Sequence, residues 1–113
     1  MEEGSVFTAA VERAAESTVV IKASGELDLM TVPQLETALA DAQAQGGDIE
    51  LDLSQLDFID STGVHLVLRV WQASQQEDWE LSITGAGPEV TRAFELVGLL
   101  DRLPFRNPGQ SAS

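Results

Sequence analysis

The residues best placed to do chemistry lie in one short run, Asp60-Ser61-Thr62-Gly63, with the chain's single histidine, His65, just beyond it. A serine beside a histidine raises the question of a nucleophile. The inventory answers against it. His65 lies one helical turn from Ser61, and a working base must reach the hydroxyl and be held by a third group. No Gly-x-Ser-x-Gly elbow is present either. A second chemistry is phosphate acceptance. A hydroxyl at the start of a helix meets free N–H groups and the positive end of the macrodipole, so the helix tolerates an anion there. A phosphate would also bring nearly two negative charges next to Asp60, sparing the fold while spoiling a docking surface. The plain alternative is that Asp60 or Ser61 only caps the helix. Taken by itself, the tetrapeptide favours capping.

Composition removes other classes. The chain has 113 residues, no cysteine and one histidine, which excludes thiol catalysis, disulfides and multi-histidine metal sites. Six Lys and Arg against nineteen Asp and Glu give a net charge of −13. Such a surface repels nucleic-acid backbones and anionic lipid headgroups. The apolar share of 43% is too high for a disordered acidic tail. No stretch approaches the roughly 20 apolar residues of a membrane span, and Met-Glu-Glu-Gly lacks the features of a secretory leader. These observations predict one acidic domain over 1–113, cytoplasmic, binding no metal, nucleic acid or membrane, with no cofactor and no catalytic activity of its own.

The elements that must position Ser61 follow from periodicity. Val6 to Glu12 alternates with Phe7, Ala9 and Val11 on one side, and Thr18 to Ser24 is rich in β-branched residues. The link Ala15-Glu16-Ser17 suits an antiparallel hairpin. Thr31 to Ala44 carries Val32, Leu35, Leu39 and Ala42 at helical spacing, with Thr31 and Gln34 in capping-box positions and Gly46-Gly47 as the stop. Asp48 to Leu53 alternates as a strand with one buried face. A helix over Ser61 to Gln75, a strand over Glu80 to Thr84 and a helix from Pro88 to Val97 follow, the last with Val90, Ala93, Phe94 and Val97 inward. Leu99 to Phe105 is a short further segment. The predicted fold is α/β, in the order β-β-α-β-α-β-α, with a small mixed sheet and helices packed on one face. The core spans 6–105 and 106–113 forms a polar tail.

The second helix is unusually apolar. Val64, Val67, Leu68 and Trp71 make a core stripe. Leu66, Val70 and Ala73 make another, either a widening of the core face or a partner surface beside Ser61. Trp79, in a polar loop, is expected to be the more exposed tryptophan.

This pattern resembles the STAS domain of bacterial anti-anti-sigma factors. The likeness rests on the element order, Gly25-Glu26-Leu27-Asp28, Phe58-Ile59-Asp60-Ser61-Thr62-Gly63, and Phe94-Glu95-Leu96-Val97-Gly98-Leu99-Leu100. The resemblance implies that Ser61 is phosphorylated by an anti-sigma factor with serine kinase activity. Unphosphorylated protein would bind that factor and free its sigma factor, and a serine phosphatase would reset the cycle. Asp28, Asp60, Thr62, Gly63, His65 and Leu66 would form the partner-binding surface, with Gly63 allowing close approach. Asp28 and Asp60 have plain readings as turn and cap residues. His65 stands where many switching members carry a small residue, and reads otherwise as a surface residue pairing with Arg69 or Ser61. Many members continue with another strand and helix after the position of Phe105; without them, apolar surface would be open to a second copy, giving a homodimer. The alternatives are a non-switching STAS adaptor, stressosome-like or lipid-transport-associated, and a nucleotide-binding STAS module. The last is disfavoured by the acidic charge and the lack of a Gly-rich phosphate loop.

Overall fold

A computed structural model of the chain describes residues 7–15 and 17–106. The expected strand start at Val6 and the tail residues 107–113 lie outside the described residues. The elements are β1 (Phe7–Ala15), β2 (Thr18–Leu27), α1 (Val32–Gln45), β3 (Asp48–Ile59), α2 (Ser61–Glu77), β4 (Leu81–Thr84), α3 (Pro88–Leu96) and β5 (Phe105–Arg106). The five strands lie in sequence order in one sheet. β1 and β2 are antiparallel, and every later pair is parallel. Each parallel step crosses over through one helix. Because right-handed crossovers here always step in the same direction across the sheet, all three helices fall on one face.

Alternation explains the core. Ile49, Leu51 and Leu53 are at most 1% exposed, while Glu50 and Asp52 between them face the other side and are half-buried. Ile21, Ala23, Leu35, Leu39, Val67, Ile83 and Phe94 complete the centre of the helical face. The glycine pair ends α1 as expected, with Gly46 and Gly47 at φ +82° and +95°. Gly47 also runs so close to Ser17 that a Cβ would lie on the Ser17 backbone.

Several elements depart from the sequence expectations. β3 does not stop at Leu53. It continues to Ile59 by two register shifts against β2, between Lys22 and Ser24 and between Gly25 and Glu26. Bulges disturb strict alternation, which is why the second half did not read as strand. The segment after α3 ends in a two-residue strand held by tertiary contacts. Phe105 packs edge-on against Phe94 with ring centroids 5.0 Å apart, and the Ile83 N–H donates to the Pro104 carbonyl at 3.0 Å. Arg106, assigned to the tail, pairs with Thr84.

The cap of α1 also differs. Thr31 makes no side-chain cap for α1. Instead Asp28 Oδ1 accepts from the Met30 and Thr31 N–H groups at 3.0 and 3.1 Å, while Thr31 Oγ1 accepts from the Asp28 N–H at 2.9 Å. This is a capping box one turn upstream, with Asp28 in the leading role and Thr31 reciprocating. The Thr31 hydroxyl donates to the Glu26 carbonyl at 2.7 Å, tying the turn to the end of β2.

Burial resolves the apolar stripes. Leu66 and Val70 are 2% and 8% exposed, so the second stripe of α2 widens the core face. Both tryptophans are half-buried and packed against the core, and the Trp79 indole N–H donates to Glu77 Oε1 at 3.2 Å, so Trp79 is not a free surface ring. Val97, expected inward, is 57% exposed, because α3 ends at Leu96 and the chain turns there.

Candidate functional site

β2 and β3 run side by side to their ends, Leu27 against Ile59, so the loops that leave them meet at one edge of the sheet. One loop carries Asp28, and the other starts α2 at Asp60-Ser61. Asp60 joins the two. Its Oδ1 accepts from the Thr62 and Gly63 N–H groups at 2.9 and 3.2 Å and from the Thr62 hydroxyl. Its Oδ2 accepts from the Leu29 N–H at 3.3 Å. Its own N–H donates to the Leu27 carbonyl, and its carbonyl accepts from the Val64 N–H. Partial burial by itself would raise the Asp60 carboxyl. The donors of Thr62, Gly63 and Leu29 outweigh that and hold it below the usual carboxylate range.

Asp60 is therefore the N-cap, and Ser61 is the first helical residue. Ser61 is exposed, and the carboxylate next to it is already occupied by other donors. The expectation of free N–H groups for an anion narrows: those of Thr62, Gly63 and Val64 are taken by Asp60, which leaves the N–H of Ser61 itself.

The Ser61 side of α2 faces a groove against α3. This cavity of about 450 Å³ is lined by Asp60, Ser61, Val64, His65, Leu68 and, across from them, Leu96, Val97 and Leu99. Around the same end, Leu29, Met30, Phe58, Leu96 and Val97 are 68%, 80%, 48%, 74% and 57% exposed. A monomer gains nothing by leaving five large apolar side chains in water. Exposed apolar side chains gathered at one end of a domain are what a docking surface needs. Sequence reasoning missed Leu29, Met30 and Leu96 as surface residues. Their signal was present: two large apolar residues in the turn that follows Asp28, and a helix-terminal leucine beyond the inward stripe.

Of the residues predicted to meet a partner, Asp28, Asp60, Thr62 and His65 are exposed or half-buried at this edge, as is Ser61, the predicted phosphorylation site. Leu66 is not, since its side chain is in the core and cannot touch a partner. Gly63 is buried as well. A Cβ there would stand 2.7 Å from Ile59 Cγ1 and 2.9 Å from Leu27 Cγ, so the glycine permits packing of α2 on the sheet rather than approach of a partner. Gly63→Ala is expected to lower unfolding stability by about 1–3 kcal/mol, measured by urea titration. Of the two residues expected to pair with His65, Arg69 instead pairs with Glu36 of α1 at 3.0 Å, while Ser61 lines the same groove as His65. Among the described residues, no cluster of three or more His, Asp or Glu side chains could hold a metal ion, and no helix is long and apolar enough to cross a membrane.

The family model described as "Mlab, STAS domain" matches residues 10–104. An anti-sigma-B factor antagonist of Staphylococcus aureus is 40% identical over 82 residues, covering 72% of this chain and 76% of that one. The chain is a STAS domain of the anti-sigma factor antagonist family. The Staphylococcus epidermidis anti-sigma-B factor antagonist is 37% identical over the same share of each chain. Among solved structures, this STAS domain is similar to an anti-sigma factor antagonist from Mycobacterium paratuberculosis, with a TM-score of 0.74 and 27% identity over 90% of this chain and 86% of that one. It is also similar to the anti-sigma factor antagonist SpoIIAA in its unphosphorylated form, with a TM-score of 0.73 and 28% identity over 88% and 89%. The phosphorylated form of the Bacillus cell fate determinant SpoIIAA gives a TM-score of 0.68 and 26% identity over 88% and 92%.

Proposed function

We propose that this STAS domain is an anti-anti-sigma factor: it binds an anti-sigma factor with serine kinase activity, frees the sigma factor, and is released when Ser61 is phosphorylated. The observation that carries the reading is the exposed Ser61 hydroxyl on the rim of an apolar groove, at a helix start that Asp60 caps without it. The names of the relatives support the antagonist role, and the SpoIIAA pair supports a fold that exists with and without phosphate.

In this reading the chemistry belongs to the partner. The kinase transfers the γ-phosphoryl of ATP to Ser61 Oγ, ADP leaves, and the hydroxyl proton passes to a base on the kinase. The STAS domain supplies an accessible acceptor on rigid structure and a surface whose affinity depends on that acceptor's charge. Thirteen net negative charges favour a partner with a basic docking face, by attraction that speeds encounter and weakens with salt. Against that background one phosphate changes the global field little. Its effect must be local, at the groove.

Incubation with the anti-sigma kinase and ATP is expected to add one phosphate by mass spectrometry, and Ser61→Ala is expected to accept none. Unchanged phosphorylation of Ser61→Ala would move the switch to another residue. Absence of phosphorylation in both proteins, with binding retained, would favour a non-switching STAS adaptor.

A further inference from the structure

We propose that His65 is the phosphate-pairing residue of this switch: once Ser61 carries a phosphate, the imidazolium of His65 holds it over the groove between α2 and α3. The inference rests on the phosphorylation reading above and names the group that receives the phosphate inside this chain.

Helix geometry brings the two together. Ser61 and His65 are four residues apart in α2, which sets their Cβ atoms about 5–6 Å apart on one face. Both line the same groove, and both are exposed. A phosphate lengthens the serine side chain toward the ring.

Exclusion of other donors then singles out His65. A phosphate at a helix start ordinarily takes the backbone N–H groups of the first turn. Here those of Thr62, Gly63 and Val64 already donate to Asp60, so of the first turn only the N–H of Ser61 itself is left, and it carries no charge. The Met30 and Thr31 N–H groups of the neighbouring loop donate to Asp28, and the Leu29 N–H donates to Asp60. Arg69, one turn further along α2, is bound to Glu36 of α1. Across the groove α3 and its exit offer Ala93, Leu96, Val97 and Leu99, all uncharged. The charged α3 residues Glu89 and Arg92 line an adjoining cleft with Asp57 and Phe58 instead. Among the described residues, His65 is thus the one cation-forming side chain in the lining of this groove.

The Asp60 carboxylate, in the same lining, repels the phosphate from its other side, and His65 supplies the opposite charge. Phosphoserine carries about 1.5 to 2 negative charges near neutrality, with a second ionisation near pH 6. Each ion favours the charged form of the other. A phosphate bent toward His65 lies across Val64 and Leu68, over the apolar floor that a partner would have to bury.

The test uses the full chain with phosphoserine incorporated at position 61 during translation, so it needs no kinase. Phosphorus NMR titration is expected to place the second phosphate ionisation about one pH unit lower, roughly a tenfold change, than in the same protein carrying His65→Gln. His65→Arg, which keeps a cation there at every pH, is expected to restore the low midpoint. Equal midpoints in all three proteins overturn the pairing. Failure of the phosphorylation reading is recognised separately, by a kinase that leaves Ser61 unmodified while the phosphoserine protein still gives the shifted midpoint.

Discussion

Ser61→Asp is expected to lower affinity for the anti-sigma partner on the order of 100-fold, roughly 3 kcal/mol, while leaving the unfolding curve almost unchanged. The two halves of this expectation have separate causes. Stability is spared because the Ser61 side chain is exposed at the first position of α2, where an acidic group meets the favourable end of the helix dipole. Repulsion from Asp60 offsets part of that gain. Affinity falls because the new carboxylate stands on the rim of a groove whose far wall is Leu96, Val97 and Leu99. Closing a partner over that wall strips water from a charge, a cost of several kcal/mol per ion that a neighbouring His65 offsets only in part. Calorimetric titration of wild type and variant against the anti-sigma factor measures the loss, and urea unfolding checks the fold. Retained affinity in a folded Ser61→Asp protein would defeat the local-charge account of the switch.

Asp60→Ala is expected to do the opposite: it damages the fold first and binding as a consequence. The carboxylate accepts from three donors at the start of α2 and from the Leu29 N–H of the β2–α1 loop. Loss of such a cap costs roughly 2 kcal/mol. The loop bearing Leu29 and Met30 also loses its tether to α2. Because the folded-state carboxyl is held below the usual range, its contribution is fully present above the unfolded value of about 4. It disappears as pH falls through the lowered folded value. Wild type and Asp60→Ala should therefore differ most near neutrality and converge in acid, as read by urea midpoints across that range. Asp60→Asn separates cap from charge, since an amide oxygen still caps while the pH dependence is lost. Parallel pH profiles for wild type and Asp60→Ala would show that the carboxylate is not the stabilising group.

These two neighbours illustrate how adjacent residues divide the work. Asp60 is occupied by the backbone and makes the helix start rigid. Ser61, relieved of capping, is left to solvent. The tetrapeptide offered capping or chemistry as alternatives; the geometry gives capping to Asp60 and leaves the Ser61 side chain exposed, as the proposed switch requires.

Much of this was readable from the chain itself. Period-two alternation in Asp48 to Leu53 and period-3.6 spacing in Val32 to Ala42 depend only on which side chains avoid water, and local order follows from that. The hairpin, the parallel crossovers, the helices on one face and a helix beginning at Ser61 are consequences of the same pattern. What periodicity does not contain is how far a neighbour extends over a given face. Leu66 and Val97 are equally apolar, yet one is 2% exposed and the other 57%, because the rest of the domain covers one flank of α2 and α3 stops short at Leu96. Gly63 looked like an open approach and is filled by Ile59 and Leu27. The cap of α1 passed from Thr31 to Asp28 because Thr31 is drawn inward to the Glu26 carbonyl. The sequence by itself determined the order of the first seven elements and the presence of a serine at a helix start. Only the tertiary structure decided which apolar residues surround that serine, since exposure is a property of what packs alongside rather than of the residue.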